Sequence, residues 1–192
     1  MSQAIGMVEF TSIARGIYTA DQMVKISEVE IATTGSVCPG KFFAIIHGDV
    51  AAVQDSVNTG ERLAGEFLVN SIVIPNVSPA VFPAISGTTM PEKIQAIGIM
   101  EAPSLTTMII AADAILKAAD LQALELRLGN GLGGKAYFTF TGDVASVETG
   151  VEAGKAMAER KGLSVNAEVV PSPSDRLIQA LYKLSSEHKY RS

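Results

Sequence analysis

The chain has a single cysteine and no tryptophan in 192 residues. One cysteine excludes an internal disulfide and any cluster held by several thiolates of the same chain. The two histidines, His47 and His188, lie far apart and lack metal-ligand spacing. Charge is scarce as well. Charged residues make up 18%, and 15 Lys and Arg against 20 Asp and Glu leave a net charge of −5. No basic stripe is available to meet phosphates, which argues against a nucleic-acid partner. Aromatic residues make up only 6%, so there is no platform for stacking bases. No long apolar run is present. Residues 42–46 are followed by His47, Gly48 and Asp49, and residues 105–116 contain Thr106, Thr107 and Asp113. Neither approaches the ~20 apolar residues that span a bilayer, so no membrane partner is expected. Residues 1–10 lack a basic segment and carry Glu9, which does not read as a signal peptide. No nucleophile–base pair or general acid–base pair stands out, so no catalytic residue is assigned and no enzyme is expected.

What is present is apolar. Hydrophobic residues make up 47% of the chain, a core-rich composition far from disorder. So little charge on a soluble chain points to a surface buried against copies of itself. The simplest setting is cytosolic, with a thiol that is reduced or bound to metal.

The chain also repeats. Ala4-Ile5-Gly6-Met7-Val8-Glu9 recurs as Ala96-Ile97-Gly98-Ile99-Met100-Glu101 at an offset of 92. At that offset Ser12 matches Ser104, Ala20-Asp21 matches Ala112-Asp113, and Lys25 matches Lys117. The offset then becomes 94: Gly40-Lys41 matches Gly134-Lys135, and Gly48-Asp49-Val50-Ala51 matches Gly142-Asp143-Val144-Ala145. Pro75 finds Pro171, and Ala84 finds Ala180, at 96. The first drift places two extra residues in the second copy, in the loop that corresponds to the cysteine.

Each copy reads in the same order. Residues 5–10 form a strand. Residues 13–28 form a helix with Ile13, Ile17, Ala20 and Val24 on one apolar face. Residues 30–34 and 41–47 form strands joined by a turn. Asp49 is placed to cap the next helix, striped by Val50, Val53, Val57 and Ala64, with Gly60 at a close packing point. Residues 67–74 form the fourth strand, and a short helix follows over 78–85, with Ser78 as cap and Pro79 at its first position. The fold class expected is α+β: two tandem ferredoxin-like βαββαβ domains, over residues 1–88 and 94–192. A short linker at 87–93, with Met90 and Pro91, should set them side by side. Residues 185–192 read as a polar tail.

The cysteine lies in Ser36-Val37-Cys38-Pro39-Gly40-Lys41, a turn between two strands with the thiol at or near its tip. Pro39 and Gly40 suit a stiff tight turn. The matching stretch is Gly129-Asn130-Gly131-Leu132-Gly133-Gly134, which has no ligand and four glycines. It reads as a flexible lining. Gly48-Asp49-Val50 and its copy could suggest a phosphate site, but an acidic cap repels an anion.

A strand reading A-I-G-x-x-E, a helix carrying A-D-x-x-x-K and G-D-V opening a second helix resemble the bacterial microcompartment shell domain. Both copies carry all three, so the resemblance spans nearly the whole chain. It implies a tandem-domain shell protein of the kind that trimerises into a pseudohexamer, a tile of a polyhedral shell in the bacterial cytoplasm. Other shell proteins are then its neighbours, and an encapsulated redox enzyme is a further partner. The Cys38-Pro39-Gly40-Lys41 turn resembles a propanediol-utilisation branch. There the resemblance implies that three copies of Cys38 meet on the trimer axis and bind one [4Fe–4S] cluster. Ser36, Val37, Pro39 and Gly40 would then line the axis, alternating with Gly131, Leu132, Gly133 and Gly134. It also implies tile-edge contacts for Lys25 and Lys117. One departure is visible: Asn76 and Ser172 follow Pro75 and Pro171 where shell domains often carry Arg. Three alternatives remain open for the residues: a metabolite pore lined by a free Cys38, a different metal held by three thiolates, and a pair of regulatory domains binding a small effector.

Overall fold

The computed structural model describes residues 3–188 apart from Thr88, Met90, Glu92 and Asn130, and side chains only to residue 181. The linker residue Met90 and the loop residue Asn130 therefore lie outside the described residues. The first half runs β1 (Ala4–Phe10), α1 (Ile13–Ile26), β2 (Val29–Val37), β3 (Lys41–Gly48), α2 (Val50–Ala64), β4 (Leu68–Ile74) and α3 (Val81–Ser86). The second runs β5 (Ala96–Ala102), α4 (Leu105–Ala118), β6 (Gln122–Leu128), β7 (Ala136–Gly142), α5 (Val144–Arg160), β8 (Asn166–Pro171) and α6 (Asp175–His188). The sheets are ordered β2-β3-β1-β4 and β6-β7-β5-β8, with antiparallel pairing throughout. This is the expected βαββαβ arrangement, twice.

Strand β1 is covered on both faces, whereas β5 leaves Ile99 and Glu101 half-buried. Every residue of β1 is buried. Gly6 and Gly98 sit where a neighbour needs their missing side chain. A Cβ on Gly98 would lie 2.3 Å from Phe140 Cζ, on the residue directly across the ladder. Gly60 confirms the close packing read from the stripe: a Cβ there would lie 2.8 Å from Met23 Sδ.

Several local expectations are corrected. Helix α1 ends at Ile26, and β2 is longer than expected, reaching Val37. The α1 face is also rotated. Gly16, Thr19, Ala20 and Met23 are buried, whereas Ile13 and Ile17 are 40% and 57% exposed. The cause is Gly16, whose absent Cβ would meet the Phe42 ring at 2.4 Å, so the helix approaches the sheet along that line. Asp49 holds the cap position of α2 but makes no side-chain cap bond. Its counterpart Asp143 accepts from the Ser146 N–H at 2.9 Å and the Ser146 hydroxyl at 2.7 Å. Ala52 stands at the matching position in the first copy and has no hydroxyl to hold the carboxylate. Ser78 is not the cap of α3. That helix starts at Val81 with Ala80 before it, and the Ser78 N–H is used elsewhere. The stretch from Ser185, read as tail, is helical to His188.

The halves are packed against each other. One apolar cluster combines Val37, Val77, Val81 and Ala84 with Leu105, Ile109 and Leu126 of the second half. In the linker, the Thr89 N–H donates to the Leu124 carbonyl at 2.8 Å, against the edge strand β6.

Two measurements check this description. Gly98→Ala forces the Phe140 ring or the strand to move and should cost about 1–3 kcal/mol in urea unfolding. Gly60→Ala should cost less, because Met23 is flexible. The Ser146 hydrogen bonds hold the Asp143 carboxyl below its ordinary value of 3.8, the backbone bond being the larger cause. That contribution is complete above the ordinary value and disappears as pH falls through the lowered one. The stability deficit of Asp143→Ala should therefore be full at neutral pH and shrink in acid, while Asp49→Ala shows little deficit at either. Thermal unfolding followed by circular dichroism across pH reads both.

Candidate functional site

Strands β2 and β3 are paired to their ends, Val37 opposite Lys41, which leaves Cys38, Pro39 and Gly40 as a three-residue turn. Gly40 adopts φ +82°, a left-handed conformation that glycine takes without strain. The Cys38–Pro39 peptide is cis. Cys38 is a free, exposed thiol at the tip. Ser36, Pro39 and Gly40 are exposed too, and Val37 alone of the group is buried.

The longer connection between β6 and β7 stands beside this turn. Val37 and Gly129 occupy matching positions in the two copies, and they meet: a Cβ on Gly129 would lie 2.5 Å from Val37 Cγ1. A Cβ on Gly134 would lie 3.1 Å from the Cys38 carbonyl oxygen. Gly129, Gly131, Gly133 and Gly134 all have left-handed φ, and the chain is tied by Leu132 N–H to Gly129 O and Lys135 N–H to Leu132 O. Gly131 and Gly133 are exposed, and Leu132 and Gly134 half-buried. The structure thus brings Gly129 and Gly134 of one loop against Val37 and Cys38 of the other.

Directly behind each loop is an ion pair. Lys41 Nζ lies 3.1 Å from Glu9 Oε1, whose side chain is only 6% exposed. Lys135 Nζ lies 3.2 Å from Glu101 Oε1, which also accepts from Asn166 Nδ2 at 3.0 Å. The Asn166 hydrogen bond first, and Lys135 second, hold the Glu101 carboxyl below its ordinary range. These carboxylates anchor the strands that carry the turns.

Lys25 and Lys117 lie elsewhere, in the last turns of α1 and α4. Both are exposed, and each pairs with the aspartate one turn earlier, at 2.5 Å to Asp21 and 2.7 Å to Asp113. Asn76 and Ser172 share left-handed φ values of 55° and 51°. His47 is a strand residue, with its ring 5.1 Å from that of Phe82.

Sequence reasoning missed one polar cluster. Tyr137 donates to Glu125 Oε2 at 2.8 Å, and Arg127 Nε lies 3.8 Å from Glu125 Oε1. Burial, and then the Glu125 hydrogen bond, push the Tyr137 hydroxyl up to about 12. The group lines a cavity of about 480 Å³ over Ile97, Ile99 and Leu181. The signal was in the repeat, since Phe43, Thr33 and Gly35 occupy these places in the first copy.

Among the described residues no group of three or more His, Cys, Asp and Glu is placed to hold a metal. One chain offers one exposed thiol, so any metal here would have to be shared between chains. Among them, too, no helix is long and apolar enough to cross a membrane.

Two sheets of this order, each backed by paired helices and followed by a short helix, define the class. Residues 4–77 and 96–173 each match the BMC domain, and the chain belongs to that family as a tandem-domain bacterial microcompartment shell protein. It is similar to the bacterial microcompartment shell protein PduT of Citrobacter freundii, 42% identical over 177 residues that cover 92% of this chain and 96% of that one. A solved microcompartment protein from Desulfitobacterium hafniense DCB superposes with a TM-score of 0.89 at 45% identity, covering 93% of this chain and 99% of that one. The carboxysome assembly protein CcmO of a Synechocystis strain is 34% identical over 88% of this chain and 61% of its own length.

The buried member of the ion pairs gives a direct check. Lys41→Met leaves the Glu9 carboxylate buried without its cation and should cost about 1–3 kcal/mol. Lys135→Met should cost less, because Glu101 is 39% exposed and keeps Asn166. Urea unfolding at neutral pH compares the two.

Proposed function

We propose that this shell protein is a homotrimeric tile, six domains in a ring, with three Cys38 thiolates converging on the axis to hold one [4Fe–4S] cluster. The observation that carries the cluster reading is the exposed thiol at the tip of a tight hairpin, set beside a glycine-rich loop. A closed ring presents the same turn three times. Clusters of this type are held by cysteine thiolates, and the donor set fits three of the four positions. Water, a small ligand or a partner's side chain would complete it. The cluster, when bound, supplies one-electron chemistry. This chain's own part is to fix the thiolates and to bring backbone close through Pro39 and Gly40.

The ring is supported by a face that one half covers and the other leaves bare. Leu105 and Ile109 of α4 are buried under the first domain. Their counterparts on α1, Ile13 and Ile17, are exposed, and so is Leu177 in the first turn of α6. A bare acceptor at one end and a bare donor at the other suit head-to-tail association. In this reading the tile works in the cytoplasm as structure rather than as a catalyst. Its edges, with Lys25 and Lys117, meet other shell proteins, and its axis carries electrons to or from an encapsulated redox enzyme, or exchanges clusters.

The test is iron and sulfide analysis of protein purified without oxygen, with absorbance at about 400 nm as the optical readout. Wild type should carry one cluster per three chains. Cys38→Ser should lose the iron and the absorbance while sedimentation still shows the trimer. Wild type with no iron and one free thiol per chain would replace the cluster with an open metabolite pore lined by Cys38.

A further inference from the structure

The chain contains one complete junction between domains and both halves of another. In the complete one, the Ser78 N–H donates to Asp113 Oδ1 at 2.7 Å, and Lys117 holds the other carboxylate oxygen at 2.7 Å. Asp113 is 8% exposed there, among the buried Val77, Val81, Leu105 and Ile109.

The half-junctions repeat this chemistry. Asp21 matches Asp113, and Lys25 matches Lys117. Yet the Asp21 side chain is 49% exposed, and among the described residues it accepts from Lys25 and Gln22, both on its own helix. At the other end, Ser174 matches Ser78 at the offset of Pro75 and Pro171. The residue two before each serine, Asn76 or Ser172, has nearly the same left-handed φ, although the helix that follows starts at Val81 in the first half and at Asp175, directly after Ser174, in the second.

We propose that Asp21 anchors the seam between copies by accepting the backbone N–H of Ser174 of the partner subunit, as Asp113 accepts Ser78 within the chain. This rests on the head-to-tail reading above. Docking would bury Ile13 and Ile17 under the start of the partner's terminal helix and take Asp21 out of water. That desolvation is offset only if the carboxylate keeps Lys25 and gains the N–H. The seam depends on Asp21 more than the internal junction depends on Asp113. Inside the chain, Asn70 also donates to Thr106 at 2.8 Å. Between copies that bond has no equivalent, because Ala14 stands in the place of Thr106 and Asn166 is turned to Glu101.

Sedimentation velocity on a dilution series tests this, with far-ultraviolet circular dichroism to verify folding. Asp21→Ala should keep the wild-type spectrum and raise the concentration of half-dissociation at least tenfold. Asp21→Asn, which retains an acceptor oxygen, should shift it less. Glu28→Ala removes the same charge from an exposed position nearby and should shift nothing. Asp21→Ala assembling like wild type, or Glu28→Ala matching its effect, would overturn the anchor and leave the ring intact. Wild type that stays monomeric at every concentration would instead remove the head-to-tail reading and the anchor with it.

Discussion

The carboxylate of Asp113 and the apolar residues around it are what the molecule turns on. A segment of the first domain, led by Ser78, Val77 and Val81, is held against α4 by one charge-assisted hydrogen bond and a continuous core. Separating the halves would expose side chains that stabilise by about 1.5–3 kcal/mol each when buried. It would also strand a carboxylate whose backbone partner had gone. The two domains therefore behave as one body. That body sets the cysteine turn against the glycine loop and decides which helix faces are spent inside the chain and which remain for other chains.

The two copies are complementary where they differ. Val37 and Gly129 hold the same place in the repeat, and one fills the space that the other leaves empty. The same logic spaces the polar groups. Ser146 makes Asp143 a working cap, whereas Ala52 leaves Asp49 without one. Tyr137 and Arg127 build a polar cluster where Phe43 and Gly35 pack ring against backbone. Duplication supplied a scaffold with equivalent positions, and small changes at those positions gave each half a separate task. In the proposed trimer, symmetry between chains would multiply the lone thiol.

Much of this was legible beforehand. The repeat, the strand–helix order and the hairpin around Cys38 follow from local chemistry: apolar periodicity, turn residues and matched motifs at a nearly constant offset. The shell-domain motifs lie on short segments whose identity does not depend on packing. Less legible was the face that α1 buries, because the stripe of Ile13 and Ile17 satisfied helical periodicity as well as the true one through Gly16 and Met23. Periodicity counts apolar residues and does not see that a glycine permits the closest approach. The missing side-chain bond at Asp49 and the later start of α3 share a reason: each depended on a partner elsewhere, a hydroxyl in one case and Asp113 in the other.

The order of residues was enough to define two equal domains, a turn with one thiol and an ordinary-looking aspartate on each first helix. Local propensities are short-ranged and act identically on both copies. The difference between the two aspartates arises only when the halves meet. One is then buried and paired with Ser78, the other half-exposed on a bare apolar face. A junction inside one chain can complete only one of two equivalent surfaces. The second surface, left open beside the same chemistry, is available to another copy of the chain, and the trimer proposed above is built on it.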